Sequence, residues 1–84
     1  MIVRMWEVMA HPEGFDDLLS WLCEVAVPEL EGDLGHLTTE VFTSPDRRIV
    51  VIAKWRGDPR SLAEPPRHLV KSGPHHADFS PVDR

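Results

Sequence analysis

The side chains most suited to chemistry are concentrated in one short stretch, His75-His76-Ala77-Asp78. If this stretch is a strand, His76 and Asp78 lie on one face, because alternate side chains of a strand point the same way. Imidazole and carboxylate groups bind metals, and His68 or His36 could supply a third ligand. A histidine beside a pocket could also act as a general base. We interpret the clustering as fortuitous, and we predict no metal and no other cofactor.

Two tryptophans and one arginine indicate a binding site. Trp6 and Trp55 lie in segments with strand character, where a large aromatic residue usually packs in a core. Such a residue can also form the flat wall of a ligand pocket. Arg4 shares a strand face with Trp6, so its guanidinium either reaches solvent or binds a carboxylate. That carboxylate could belong to a ligand, to Asp78 or to Glu40.

The elements that would position these residues begin with a strand and a helix. Residues 2–9 are rich in Ile, Val and Trp and are apolar on both faces, which predicts a strand covered on both sides. Residues 12–31 repeat apolar side chains at helical spacing. Pro12 and the acidic residues after it suit a helix N-terminus. Pro28 is expected to bend the last turn or to end the regular helix.

A hairpin is expected next. Residues 36–43 alternate in polarity, and residues 48–56 form the strongest strand pattern in the chain. The intervening Ser44-Pro45-Asp46-Arg47 has proline at the second position of a turn. The two strands are therefore predicted to pair as an antiparallel hairpin, which places Trp55 at the end of the second strand.

The last third of the chain has a weaker pattern. Residues 61–70 could hold a helix, but Pro65-Pro66 splits it, so only one or two short turns are expected. Residues 71–74 are predicted to be loop and residues 76–82 a short last strand. The resulting order is that of an α+β, ferredoxin-like βαββαβ fold with a four-stranded antiparallel sheet and a shortened second helix. Residues 1–84 are expected to form one such domain.

Charge and composition exclude several classes of function. The first 46 residues carry one basic residue and ten acids, for a charge of −9, and the remainder carries eight basic residues and four acids, for +4. No basic stripe interleaves with aromatics, so nucleic-acid binding is not expected. No segment is long and apolar enough for a membrane span or a signal peptide. Cys23 is the single cysteine, which suits the reducing cytoplasm.

Small size argues for a partner chain. A domain of 84 residues has a marginal core, and small domains regain stability from disulfides, metals or association. The chain has neither a cysteine pair nor a zinc-binding pattern. Helices can cover only one face of a sheet whose strands are apolar on both. We therefore predict a homodimer, in which a standard interface would bury about 800 Å² on each chain.

Four segments carry a family resemblance: MIVRMWEV, AVPELEG, VVIAKW and HADFSPVDR. In these segments the chain resembles the dimeric α+β-barrel proteins of the antibiotic biosynthesis monooxygenase group. The resemblance implies a dimeric barrel and a cofactor-independent oxygenase that holds an anthrone-like substrate in an apolar pocket. The group's pocket combines Trp, Asn, Arg and Tyr, whereas this chain contains no Tyr and no Asn. Its first strand also lacks the Asn of the haem-degrading members.

Three functions therefore stay open. The first is a dimeric domain that binds an apolar or aromatic small molecule, as a monooxygenase-like oxidoreductase or as a binding protein. The second is a non-catalytic dimerisation or accessory module, and the third is a haem- or metal-handling protein. No catalytic residue is assigned. The predicted ligand pocket consists of Arg4, Trp6, Trp55, His68 and His76.

Overall fold

The fold is α+β, with one helical segment packed on a four-stranded antiparallel sheet of order β2-β3-β1-β4. A computed structural model describes all residues, 1–84. The predicted ferredoxin-like layout is confirmed. The strands are β1 (Ile2–Ala10), β2 (His36–Thr43), β3 (Arg48–Trp55) and β4 (Val70–Phe79).

The helical segment covers residues 12–31, the range that the sequence predicts. A 3-10 turn at Pro12–Gly14 leads into α1 (Phe15–Trp21), and a π-helical turn at Leu22–Ala26 separates α1 from α2 (Val27–Glu31). Pro28 explains the interruption, because proline has no N–H to donate and its ring crowds the carbonyl four residues earlier. The wider π turn absorbs this conflict, so the helix continues past the proline.

The core lies between the helical segment and one face of the sheet. Trp6 and Val8 of β1 share this face with Ile49 and Val51 of β3, and Trp6 is the register partner of Val51. Leu18 packs on them from the helix. The alternation of a half-buried strand explains why these side chains face inward and their sequence neighbours do not. β1 and β3, which carry the two strand tryptophans, are adjacent in the sheet.

The connection between β3 and β4 contains no full helix. Between β3 and β4 the only regular element is a 3-10 turn at Arg67–Leu69, in agreement with the prediction for the Pro65-Pro66 stretch. We call residues 56–66 the crossover segment. It contains neither helix nor strand, and it covers part of the sheet where a second helix would otherwise lie.

β4 corrects the prediction for the last strand. It begins at Val70 and ends at Phe79, whereas the sequence predicted a loop over 71–74 and a strand over 76–82. Gly73 has φ = +91° and the register with β1 shifts between Glu7 and Met9, so the strand bulges there and continues. Such a bulge and a proline are tolerated because β4 is an edge strand. The predicted loop at residues 71–74, which includes the Gly-Pro pair, is wrong, because these residues lie inside the strand.

The other face of the sheet has no helix on it. The central positions of this face carry aliphatic or thioether side chains that are only partly buried. Phe42 and Phe79 are 46% and 53% exposed. We call this surface the open sheet face. Its apolar members are Val3, Met5, Met9, Phe42, Val50, Ile52 and Phe79.

No helix in the structure has the length and apolar character that crossing a membrane requires.

Candidate ligand cavity

A cavity of about 290 Å³ lies between the sheet, α2 and the crossover segment. We call it the aromatic cavity. Residues of β1, β3 and β4 form its sheet wall, Leu30 closes it from α2, and the crossover segment supplies the outer wall. Its lining residues are Arg4, Trp6, Leu30, Val51, Ala53, Trp55, Arg60, Ser61, Leu62, Glu64, Pro74 and His76.

Trp55 is the most enclosed aromatic residue of this wall. It is 0% exposed, and the His36 ring meets it edge-on, with ring centroids 5.5 Å apart and planes at 88°. His36 is itself held by a hydrogen bond with the Thr39 hydroxyl. The indole Nε1–H of Trp55 is buried and has no hydrogen-bond acceptor. A buried donor without a partner is costly and uncommon.

Arg4 and Asp78 form a two-pronged ion pair at the cavity. Arg4 Nε donates to Asp78 Oδ1 at 2.7 Å, and Nη2 donates to Oδ2 at 2.9 Å. The two residues are register partners on β1 and β4. The hydrogen bonds lower the pKa of Asp78 and raise that of Arg4. The sequence suggested Asp78 or Glu40 as a partner for Arg4, and in the structure the partner is Asp78.

A second ion pair connects the crossover segment to the loop after α2. Arg60 Nη1 donates to Asp33 Oδ2 at 3.1 Å, while the N–H of Gly35 donates to Asp33 Oδ1 at 2.8 Å. The Gly35 hydrogen bond is the larger cause, and the Arg60 hydrogen bond the next, of a lowered pKa at Asp33. The Asp33 carboxylate is therefore held both by its own loop and by Arg60.

The structure brings four of the five predicted pocket residues together. Arg4, Trp6, Trp55 and His76 all line the aromatic cavity. His68 lies exposed in the 3-10 turn and does not line it. Because β4 is extended, His76 and Asp78 share a face as expected. No group of three or more His, Cys, Asp or Glu side chains is arranged to hold a metal.

The sequence did not indicate the outer wall of the cavity. Arg60, Ser61, Leu62 and Glu64 belong to a stretch without a periodic pattern, and only the long-range chain path brings them over Trp55. One signal was present: Leu62 is an isolated large apolar residue in a polar stretch, and it packs against both core clusters.

The fold and the cavity define a small ferredoxin-like α+β protein with an aromatic pocket beside the helix-covered sheet face. Among solved structures, the chain is similar to that of Rv0793 from Mycobacterium tuberculosis, with a TM-score of 0.75 and 15% sequence identity. The alignment covers 99% of this chain and 96% of the other. This likeness shows the fold alone. No family model and no curated protein sequence matches the chain.

Proposed function

We propose that this protein binds an apolar or aromatic small molecule in the aromatic cavity. The observation that carries the proposal is the aromatic cavity itself, whose sheet wall contains Trp6 and Trp55. Apolar walls with a few polar groups at the rim are typical of small-molecule sites. At about 290 Å³ the cavity is at the small end of such sites. It suits an apolar compound of one or two rings.

Calorimetric titration with 1-naphthol tests the proposal. We expect the wild-type protein to bind with a dissociation constant below about 1 mM. Ala53→Leu, which fills the cavity from the sheet wall, should weaken binding at least about tenfold. Ala63→Leu is the matched control, because Ala63 is exposed and does not line the cavity. Equal binding by all three proteins, or binding by none of them, would refute the proposal.

A narrower form of the proposal is a monooxygenase-like oxidoreductase that uses no cofactor. It rests on the resemblance to the antibiotic biosynthesis monooxygenase group. 1-Naphthol is a suitable test substrate, because its oxidation to 1,4-naphthoquinone balances: the hydroxyl and the ring carbon opposite it each lose one hydrogen, and O₂ gives one oxygen atom to that carbon and the other to water. Oxygen uptake above the spontaneous rate, abolished by Ala53→Leu, would support the enzyme. If the protein does not change the rate of oxygen uptake, the enzyme is refuted and only the binding function remains.

We further propose that residues 1–84 act as one domain and pair as a homodimer in the cytoplasm. The monomer exposes 5561 Å², above the roughly 5,100 Å² that a compact monomer of its mass exposes. The open sheet face accounts for apolar surface that no helix covers. We expect two copies of this face to pack against each other about a two-fold axis, which is the commonest symmetry of soluble dimers.

The open sheet face also favours a second function, a non-catalytic dimerisation module. In that case the face would be the functional surface, and the aromatic cavity would be a packing defect left by the missing second helix. The two functions predict different outcomes for one pair of measurements. A module would dimerise and bind no naphthol, whereas a binding protein would do both.

A further inference from the structure

The crossover segment is the least supported wall of the aromatic cavity. Backbone hydrogen bonds anchor it at Arg56 and Pro66, but residues 57–65 between them make no backbone–backbone hydrogen bond. Every other wall belongs to a strand or to α2. Local opening costs least where the backbone is not hydrogen-bonded and few side chains are buried. The segment can therefore move while the sheet and helix stay folded.

Three side chains hold the segment in place. Leu62 packs against both core clusters, and Pro65 is buried near the end of the segment. Arg60 is the third, through its ion pair with Asp33 at 3.1 Å. Its side chain is 68% exposed, and Asp33 is its one ion-pair partner. Only Leu62 and Arg60 hold the part of the segment that covers Trp55.

We propose that the crossover segment is a lid over the aromatic cavity and that the Arg60–Asp33 ion pair is its latch. This inference rests on the proposed function, because a lid regulates access only if the cavity takes a ligand. Gly57, at the start of the segment, is a suitable hinge, because glycine changes its backbone conformation at lower steric cost than other residues. Asp33 is a suitable anchor for Arg60, because its carboxylate also accepts a hydrogen bond from the Gly35 N–H, which lies outside the segment.

The size of the expected effect follows from the exposure of the latch. An exposed ion pair of this type changes an equilibrium by about 1.5- to 5-fold. Arg60→Ala should therefore raise the fraction of open lid by that factor without unfolding the protein. Arg56→Ala is the matched control, because Arg56 is also an exposed arginine of the segment but forms no ion pair.

A ligand-free thiol-labelling experiment measures this opening. In a Cys23→Ser background, Ala53→Cys places a thiol in the cavity wall under the lid, at a position that is 3% exposed. Ala10→Cys places one in the core of β1, at 1% exposure and outside the cavity. Ile49→Cys replaces it if the Ala10 variant does not fold. The rate of reaction with a soluble aromatic disulfide reports how often each thiol becomes accessible.

We expect the thiol of Ala53→Cys to react faster than the core thiol. Arg60→Ala should accelerate that reaction about 1.5- to 5-fold and leave the reaction rate of the core thiol unchanged. Arg56→Ala should change neither rate. Equal rates at both positions would mean that only global unfolding exposes the cavity, and the lid would be refuted. An Ala53→Cys rate unaffected by Arg60→Ala would refute the latch.

The experiment separates this inference from the proposed function. Labelling contains no ligand, so naphthol binding combined with unchanged labelling would overturn the lid and leave the binding site standing. Lid-dependent labelling without naphthol binding would support the opening motion and overturn the binding site.

Discussion

The indole N–H of Trp55 is buried without a hydrogen-bond acceptor, which lowers the stability of the folded protein. The ring itself is fully buried, so it contributes packing, while the donor subtracts from that contribution. The net contribution of Trp55 to stability is therefore smaller than the buried area of its ring alone would give.

Two substitutions of Trp55 measure the packing contribution of its ring. We expect Trp55→Ala to lower the free energy of unfolding by about 3–5 kcal/mol, because a large buried ring is replaced by a cavity. Trp55→Phe should cost clearly less, because a phenyl ring still fills most of the space. Urea denaturation measures both changes. Equal losses in the two variants would contradict the packing role of the ring.

The carboxylates of the ion pairs make stability depend on pH. Hydrogen bonds lower the pKa of Asp78, Asp33 and Asp46 from 3.8, so the folded protein binds fewer protons than the unfolded chain at acidic pH. Their stabilisation is therefore complete above about pH 5 and is lost as the pH falls through the lowered pKa values.

Urea denaturation at a series of pH values checks this dependence. We expect the free energy of unfolding to decrease as the pH falls below about 5. Asp78→Asn should remove part of the decrease, because the amide does not titrate. A slope that is unchanged in Asp78→Asn would contradict the role given to the Arg4–Asp78 pair.

At the scale of elements, β4 depends on one glycine. Gly73 has φ = +91°, and a Cβ added there would lie 3.2 Å from the Glu7 carbonyl oxygen on β1. This position allows the strand to bulge and still pair with β1 on both sides. The extent of the last strand, and with it the placement of His76 and Asp78, follows from this residue.

Gly73→Ala should therefore destabilise the protein by about 1–2 kcal/mol, because a residue with a Cβ is disfavoured at positive φ. Gly57→Ala is the control: its added Cβ meets nothing within 4 Å, so stability should stay level or rise slightly. Thermal or urea unfolding compares the two variants. A loss in the Gly57 variant as large as that in the Gly73 variant would contradict this account.

Sequence reasoning succeeded where one local pattern decides the structure. The range 12–31 and the strand Arg48–Trp55 follow from apolar periodicity, and Pro65-Pro66 correctly predicted the loss of the second helix. It was wrong for β4, because a Gly-Pro pair in an edge strand looks the same as one in a loop. The sequence did not predict that Arg60 and Leu62 line the cavity, because their position over Trp55 depends on the path of the crossover segment and not on a local pattern.

At the scale of the whole molecule, the fold is a single helical layer on a sheet, with extents of 41 × 27 × 15 Å. Only 15 of 84 residues are buried, which is a thin core for a chain that must stay folded. The proposed homodimer would convert the open sheet face into a second core.

Ile52→Glu tests the dimer. Ile52 lies on the open sheet face and is only partly buried in the monomer, so we expect the variant to stay folded and to shift to a monomeric mass at tens of micromolar protein. Light scattering measures the mass, and circular dichroism confirms the fold. Leu34→Glu is the control, because Leu34 is 94% exposed and lies in the loop before β2. A monomeric wild-type protein would refute the dimer.

The pairing of β1 with β4 has one more consequence. Val3 is the register partner of Phe79, so the first and last strands of the sheet bring residues 3 and 79 side by side. A short linker could connect the segments that flank residues 3 and 79, and new termini could then be placed between residues 57 and 65, where no backbone hydrogen bond is cut. Such a circular permutant would keep all four strands, and the cut crossover segment would cover the cavity with two free chain ends.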